Sequence, residues 1–150
     1  MNQRRRLILV FAVAILAVPF ISAQEHARPS AEEIAKYADD PSVKAAVAWL
    51  TLVDAHKYEE SWTEAANLFR TQVERDAWVD SLKRFREPMG ANTSRSASRV
   101  EYSHTLRGAP DGEYSVLHFR AAFVNKENVT ERVTLVKQED GWKVSAFALH

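Results

Sequence analysis

The chain has 150 residues, a length that predicts one domain. Its 20 basic and 20 acidic side chains balance, but three of the basic residues are the arginines at positions 4–6. Without residues 1–23, 17 basic and 20 acidic side chains would remain, and such a mildly acidic body argues against nucleic acid as a partner. The absence of cysteine excludes disulfides, thiolate metal sites, a cysteine nucleophile and a lipidated cysteine anchor.

The first 23 residues have the layout of an export signal. The three arginines precede an uninterrupted apolar run from Leu7 to Val18, and Ala23 offers a small residue at the cleavage position. A membrane-spanning helix needs about 20 apolar residues, more than this run supplies. We therefore predict a signal peptide over 1–23 that is cleaved, and a periplasmic or secreted protein that does not stay inserted in the membrane. An uncleaved N-terminal anchor is the alternative.

Residues 24–41 predict a polar segment with one short helix. Ser30 and Glu33 have the spacing of a capping box, which favours a helix that ends near Tyr37. Asp40 and Pro41 are the residue types preferred at the N-cap and first position of a second helix. The single domain is therefore predicted to occupy residues 42–150.

That domain is predicted to contain helices first and strands afterwards. Apolar residues at spacings of three and four predict helices from Pro41 to about Lys57, Tyr58 to Arg70 and Arg75 to Arg86. After Gly90 the period changes to two. This alternation predicts strands over Ser98–Leu106, Glu113–Val124, Val129–Gln138 and Trp142–Leu149. Asp140 and Gly141 give the clearest hairpin turn. The fold class is therefore α+β, with a four-stranded antiparallel meander.

The hairpin turns also predict a register. If Val124 pairs with Val129, Arg120 lies opposite Val133 and diagonal to Glu131. In this register Tyr102, His118, Arg120 and Glu131 share one largely apolar face of the sheet. The opposite face is also apolar, so the sheet would have helices on one side and a second surface to cover.

Most of the chain carries short motifs in a defined order. They are Ala48–Leu50, Leu52–Asp54, Ser61–Trp62, Arg86–Gly90, Arg95, Pro110–Tyr114, Asn125–Lys126, Glu131–Thr134 and Asp140–Val144. Over about Val43 to Leu149 this set resembles the bacterial exported proteins of domain-of-unknown-function family 4019. That family is similar to the cone-shaped nuclear-transport-factor-2-like and ketosteroid-isomerase-like folds. The resemblance implies helices on a curved sheet that surrounds a pocket, and it implies no activity.

Two groups of residues are candidates for a pocket. The first consists of His118, Arg120 and Glu131 on one sheet face, where a carboxylate and a guanidinium would orient a polar ligand or hold a base at a shifted pKa. A structural ion pair between Arg120 and Glu131 is the alternative interpretation. In either case this pair is predicted to be the main polar feature of the sheet face that meets the helices.

The second group is Asp54 and Tyr58, four residues apart at a junction between two helices. The resemblance places pocket residues at such a junction. The favoured explanation is structural, with Asp54 as a helix terminator and Tyr58 packed onto Trp62. Tyr102 is a further candidate donor. The five histidines lack the spacing of a zinc site, and no phosphate-binding loop or serine nucleophile motif occurs. The sequence therefore predicts no metal and no cofactor.

Two functions remain open. The first is an exported binding module without catalysis, which takes a small molecule or an envelope protein, or which forms a homodimer through the outer sheet face. The second is a cofactor-independent enzyme of the isomerase or dehydratase kind. Asp54 or Glu131 would then be the base, and Tyr58 or Tyr102 the donor. The absence of a catalytic motif favours the binding module. An interior filled by tryptophan and phenylalanine side chains would argue against the enzyme.

Overall fold

Helices precede a four-stranded sheet in this protein, as the change of sequence period predicts. The computed structural model describes residues 31–150, except for the side chains of Glu33 and Ile34. The predicted signal peptide and residues 24–30 lie outside the described residues. Within the described part, no helix combines the length and apolar character needed to cross a membrane.

The helical layer consists of short helices joined by tight connections. Its elements are α1 (Ala31–Ala35), α2 (Pro41–Asp54), α3 (Tyr58–Glu64), α4 (Asn67–Gln72), α5 (Arg75–Phe85) and a 3₁₀ turn (Glu87–Met89). The strands follow as β1 (Asn92–Ser103), β2 (Tyr114–Phe123), β3 (Lys126–Gln138) and β4 (Gly141–Leu149).

The strands form one antiparallel meander in the order β1-β2-β3-β4. The predicted α+β class and the hairpin at Asp140 and Gly141 are therefore confirmed. The sheet is neither closed nor strongly curled, so the conical shape that the resemblance implies is not confirmed.

Helix α2 begins and ends with well-defined caps. The Asp40 carboxylate accepts hydrogen bonds from the backbone N–H groups of Ser42 (2.8 Å) and Val43 (3.2 Å), and Pro41 occupies the first turn. These contacts satisfy N–H groups that have no partner within the helix. The helix ends earlier than predicted, at Asp54, because the backbone turns into the left-handed region at His56 (φ 60°).

The helix predicted from Tyr58 to Arg70 is interrupted. Ala65 and Ala66 adopt extended backbone, and the Ala66 N–H donates to the Val144 carbonyl of β4 at 2.8 Å. The small side chains of both alanines are buried, at 3% and 0% exposure. The break therefore attaches the helical layer directly to the edge of the sheet.

Aromatic rings fill the space between the helices and the sheet. The ring centroids of Trp49 and Trp78 are 5.8 Å apart, and Phe69 and Phe147 contact the Trp78 ring edge-on. Both indole N–H groups bond to Ser61, one to its carbonyl (2.7 Å) and one to its hydroxyl (3.0 Å). Because these buried polar groups are satisfied, the aromatic cluster is a packed core.

The register between β2 and β3 differs from the predicted one. The sequence predicts Val124 opposite Val129, but the structure pairs Phe123 with Lys126 and has a β-bulge between Ala121 and Phe123. The tight turn is held by Asn125, whose backbone N–H donates to the Met89 carbonyl at 2.9 Å. The difference is an odd number of residues, so side chains of β3 exchange faces relative to the prediction.

The two faces of the sheet differ in character. Leu117, Phe119 and Val133 are buried on the face that meets the helices. The opposite face carries a cross-strand row of Arg99, His118 and Arg132. The outer face also buries Tyr114 and Val116, at 2% and 7% exposure. The predicted apolar character of this face therefore holds in part, and the register adds the three basic residues to it.

Gly90 occupies a backbone conformation that favours glycine (φ 79°, ψ −164°). A Cβ at this position would lie 3.2 Å from Val124 Cβ and 3.2 Å from Asn125 Nδ2. We predict that Gly90→Ala lowers the free energy of unfolding by roughly 1–3 kcal/mol because of backbone strain. Crowding of the new Cβ against Val124 and Asn125 adds to this loss. Urea denaturation measures the loss. Gly108→Ala is the control, because Gly108 also has positive φ (82°) but open space around it. Equal losses in the two variants would contradict the crowding at Gly90.

Candidate functional site

A guanidinium joins the end of α2 to two strands. Arg95 on β1 donates to both oxygens of Asp54, from Nη1 to Oδ2 at 2.6 Å and from Nη2 to Oδ1 at 3.1 Å. It also donates to both oxygens of Glu131 on β3, from Nε to Oε2 and from Nη2 to Oε1 at 3.0 Å. We call Asp54, Arg95 and Glu131 the Arg95 clamp. Both carboxylates receive the bidentate geometry that arginine provides.

A second arginine completes the charge balance. Arg86, at the end of α5, donates from Nη2 to Asp54 Oδ1 at 2.9 Å and from Nη1 to the Gly90 carbonyl at 2.7 Å. Its guanidinium lies 4.0 Å from the ring centroid of Phe123, a cation–π contact. Two arginines thus neutralise two carboxylates in the interior. This pairing is required because unpaired buried charges are strongly destabilising.

The clamp is well shielded from solvent. The side chains of Glu131, Arg86 and Arg95 are 1%, 3% and 10% exposed, and that of Asp54 is 22% exposed. Burial opposes ionisation of Asp54, but hydrogen bonds from Arg95 and Arg86 outweigh it and lower the pKa of this carboxyl. Burial likewise opposes the charge on Arg95, but its bonds to Glu131 and Asp54 raise its pKa. Both groups are therefore fixed in their charged forms at neutral pH.

Tyr58 lies beside this network without joining it. The residue is 4% exposed, and among the described residues its hydroxyl makes no hydrogen bond of normal geometry, although the Glu87 carboxylate lies near it. Burial first, and then the charge of Glu87, raise the pKa of Tyr58 to about 12. The imidazole of His56 stacks on the Tyr58 ring with 5.6 Å between centroids. The phenol is therefore neutral and enclosed.

Tyr102 belongs to a different network at the start of α2. Its hydroxyl donates to Asp40 Oδ2 at 2.7 Å. The other Asp40 oxygen accepts from the Ser42 hydroxyl at 2.7 Å, which in turn lies 2.8 Å from Ser115 Oγ. Burial opposes ionisation of Asp40, but the hydrogen bonds of Ser42 and Tyr102 lower the pKa of its carboxyl. The cap at Asp40 thus also attaches α2 to β1 and β2.

His118 and Arg120 do not join Glu131. Phe119 lies opposite Glu131 in the sheet, whereas Arg120 lies opposite Thr130 and is exposed. Because side chains alternate along a strand, Arg120 is on the outer face and Glu131 on the inner face. His118 shares the outer face with Arg120. The predicted pair of Arg120 and Glu131 is therefore wrong, and the cation that binds Glu131 is Arg95.

Of the six predicted site residues, the structure brings only Asp54 and Glu131 onto a common partner. Tyr58 and Tyr102 lie at separate places, and the role of all six in ligand binding stays a prediction. Sequence reasoning missed Arg95 and Arg86 as charge partners, although both stand in the motifs that carry the family resemblance. Their side chains approach Asp54 from 41 and 32 residues away, a separation that no local pattern reveals.

An open groove of about 370 Å³ lies between α2, α3 and β4. We call the apolar side chains that line it the floor, and the two carboxylates and one ammonium that line it the rim. The lining residues are Ala45, Ala48, Trp49, Leu52, Glu60, Glu64, Trp142, Lys143 and Val144. None of the six predicted site residues lines it. The signal that would have found it is the row of small side chains at Ala45 and Ala48 beside Trp142.

Metal binding has no support within residues 31–150. This part of the chain contains no group of three or more histidine, cysteine, aspartate or glutamate side chains placed to hold a metal ion.

Comparison with known proteins identifies a family. The model of a family described as "Protein of unknown function (DUF4019)" matches residues 45–147. The matched range begins in α2 and ends in β4, so it includes the Arg95 clamp and the groove. No curated protein and no solved structure matches the chain.

The first prediction from this site concerns Arg95. Arg95→Met would leave two carboxylates without their main partner, and we expect a loss of roughly 3–5 kcal/mol in the free energy of unfolding. Arg99→Met is the matched control on the same strand, because Arg99 is 63% exposed and, among residues 31–150, forms its ion pair with Glu101 at 2.7 Å. The control should lose less than about 1 kcal/mol. Urea denaturation of both variants measures the difference, and similar small losses would contradict the clamp.

A second prediction concerns pH. The pKa of Asp54 is lowered by folding, so its ionisation stabilises the fold above the ordinary aspartate pKa of about 3.9. This contribution disappears as the pH falls through the lower pKa of the folded state. The gap in unfolding free energy between the wild type and Asp54→Asn should therefore be largest near neutral pH and narrow below about pH 4. Denaturation from pH 7 to pH 2.5 measures it.

The control for this experiment is Asp111→Asn in the exposed loop between β1 and β2. We expect it to change stability at neutral pH by less than about 0.5 kcal/mol. If the difference in unfolding free energy between the wild type and Asp54→Asn stays constant down to pH 2.5, the folded state does not stabilise the ionised form of Asp54, and the prediction is wrong.

Proposed function

Because the chain belongs to the DUF4019 family, whose description names no activity, we propose a function from the geometry of its own residues. It is an exported module that binds a small ligand without catalysing a reaction. The single observation that carries this proposal is the Arg95 clamp, because the interior carboxylates are already bound to arginine. Export is supported by the N-terminal sequence alone.

A general base needs a carboxylate that can reach a substrate proton and accept it. Asp54 accepts hydrogen bonds from Arg95 and Arg86, and the pKa of its carboxyl is lowered. Glu131 is fully buried under Arg95. Asp54 keeps 22% exposure, but both of its oxygens accept hydrogen bonds from arginine, so both carboxylates support structure better than they support proton transfer.

The isomerase or dehydratase alternative also needs a donor beside the base. Tyr58 is enclosed with a pKa of about 12, and Tyr102 is bonded to Asp40. The remaining interior is filled by the aromatic cluster around Trp49 and Trp78. No observation favours the enzyme, and we do not retain it as a second candidate.

The groove supports the binding part of the proposal. Its volume of about 370 Å³ falls within the range of small-molecule sites, roughly 300–1,000 Å³. An apolar floor with a few polar groups at the rim is the usual composition of such sites. The outer sheet face offers less support for a homodimer, because a two-fold interface there would bring the basic residues Arg99 and Arg132 of both copies into one patch.

Filling the groove tests this proposal. Ala48→Phe places a ring in the groove, whereas Val47→Phe places one on the same helix at a position that is 41% exposed and does not line the groove. We expect native mass spectrometry of protein purified from its producing cells to show a small-molecule adduct. The wild type and Val47→Phe should retain the adduct, and Ala48→Phe should lose it.

Thermal unfolding of the same three proteins provides the stability control. The two phenylalanine variants should unfold within a few degrees of each other, since both positions are on the surface of α2. A wild type without any adduct, or an adduct that Ala48→Phe retains at the wild-type level, would contradict ligand binding in the groove.

A further inference from the structure

We infer that the groove between α2, α3 and β4 takes a cationic amphiphile, that is, a small molecule with an apolar body and a protonated amine. This inference rests on the proposed function and specifies its ligand class. The reasons are the composition of the floor, the sign of the rim charges and the environment of the amines that are already present.

The floor favours an apolar, flat ligand body. Ala45, Ala48 and Leu52 are spaced by three and four residues on α2, so they form one stripe along the groove. Trp142 lies across from this stripe on β4. The alanines leave the space open, and the indole offers a broad surface for contact with a ring or an alkyl chain.

The rim favours a positive charge. Glu60 and Glu64 are four residues apart on α3 and are 51% and 56% exposed. Lys57, which is 56% exposed, lies 3.1 Å from Glu60, and Lys143, which is 25% exposed, lies 3.6 Å from Glu64. Exposed pairs of this kind are weak. A ligand ammonium can therefore compete for either carboxylate.

Two lysine ammonium groups of the protein already lie where a ligand amine would bind, one beside carboxylates and one over the indole ring. Lys143 lies between Glu64 and Asp140, with a distance of 3.2 Å to Asp140. The ammonium of Lys137 lies 5.2 Å from the ring centroid of Trp142, within the range of a cation–π contact. Carboxylates and the indole thus both attract cations at this site.

An anionic ligand would meet the opposite situation. Lys143 is the single cation among the lining residues, and it is already shared by two carboxylates. An added carboxylate or phosphate would face Glu60 and Glu64, and the further cations nearby, Lys57 and Lys137, already contact Glu60 and the Trp142 ring. Like-charge repulsion therefore selects against anions of the same shape.

Three indoles of similar shape and different charge test the inference. Tryptamine carries an ammonium, tryptophol is neutral and indole-3-propionate is an anion. In isothermal titration calorimetry of the full chain, we expect tryptamine to bind most tightly and indole-3-propionate most weakly. Glu60→Gln and Glu64→Gln should each weaken tryptamine binding by about threefold. Glu59→Gln, beside them on α3 but not in the groove lining, should leave it unchanged.

The outcomes separate this inference from the proposed function. If all three indoles bind equally and Ala48→Phe abolishes binding, the groove binds ligands but the preference for cations is wrong. Tighter binding of indole-3-propionate, or tryptamine binding that neither glutamine variant weakens, would also overturn the inference. If no indole binds and native mass spectrometry shows no adduct, both the inference and the proposed function are wrong.

Discussion

The rest of the structure depends on one requirement, namely that the guanidinium of Arg95 satisfies two carboxylates at once. Asp54 comes from the last turn of α2 and Glu131 from the middle of β3. Because a buried charge without a partner is strongly destabilising, α2, β1 and β3 can pack only where these three side chains meet. Arg86 extends the constraint to Gly90, and the Met89–Asn125 contact continues it to the β2–β3 turn.

The Arg95 clamp changes the functional interpretation of the charged residues in the interior. Active sites often use carboxylates, arginines and a tyrosine at a helix junction. In this protein the arginines are bonded to the carboxylates. Within residues 31–150, the bonds of Asp54 and Glu131 to arginine fix the register between the helices and the sheet. The proposed recognition site is instead the groove at the surface, which is lined by small side chains of α2, by Trp142 and by glutamates of α3.

Local features of the fold could be predicted from the sequence because local chemistry determines them. Asp40 and Pro41 start α2, the Asp140–Gly141 turn joins β3 to β4, and the change of period separates helices from strands. The break at Ala65 and Ala66 could not be predicted, since its cause is a hydrogen bond to β4, 78 residues further along the chain. The ion pairs of the candidate site could not be predicted for the same reason, because contacts between distant parts of the chain determine them. The β-bulge near Ala121 changes the face of Glu131, and this changes its partner from Arg120 to Arg95.

Nuclear magnetic resonance of the arginine side chains shows whether Arg95 is buried against its two carboxylates. The Nε–H of Arg95 donates to a fully buried carboxylate, so its exchange with solvent requires opening of the packed structure. The account predicts a resolved Arg95 Nε–H signal at neutral pH whose exchange is slowed by orders of magnitude relative to that of the exposed Arg99. An Arg95 Nε–H that exchanges as fast as Arg99 would contradict a buried clamp as the interaction that holds the helices on the sheet.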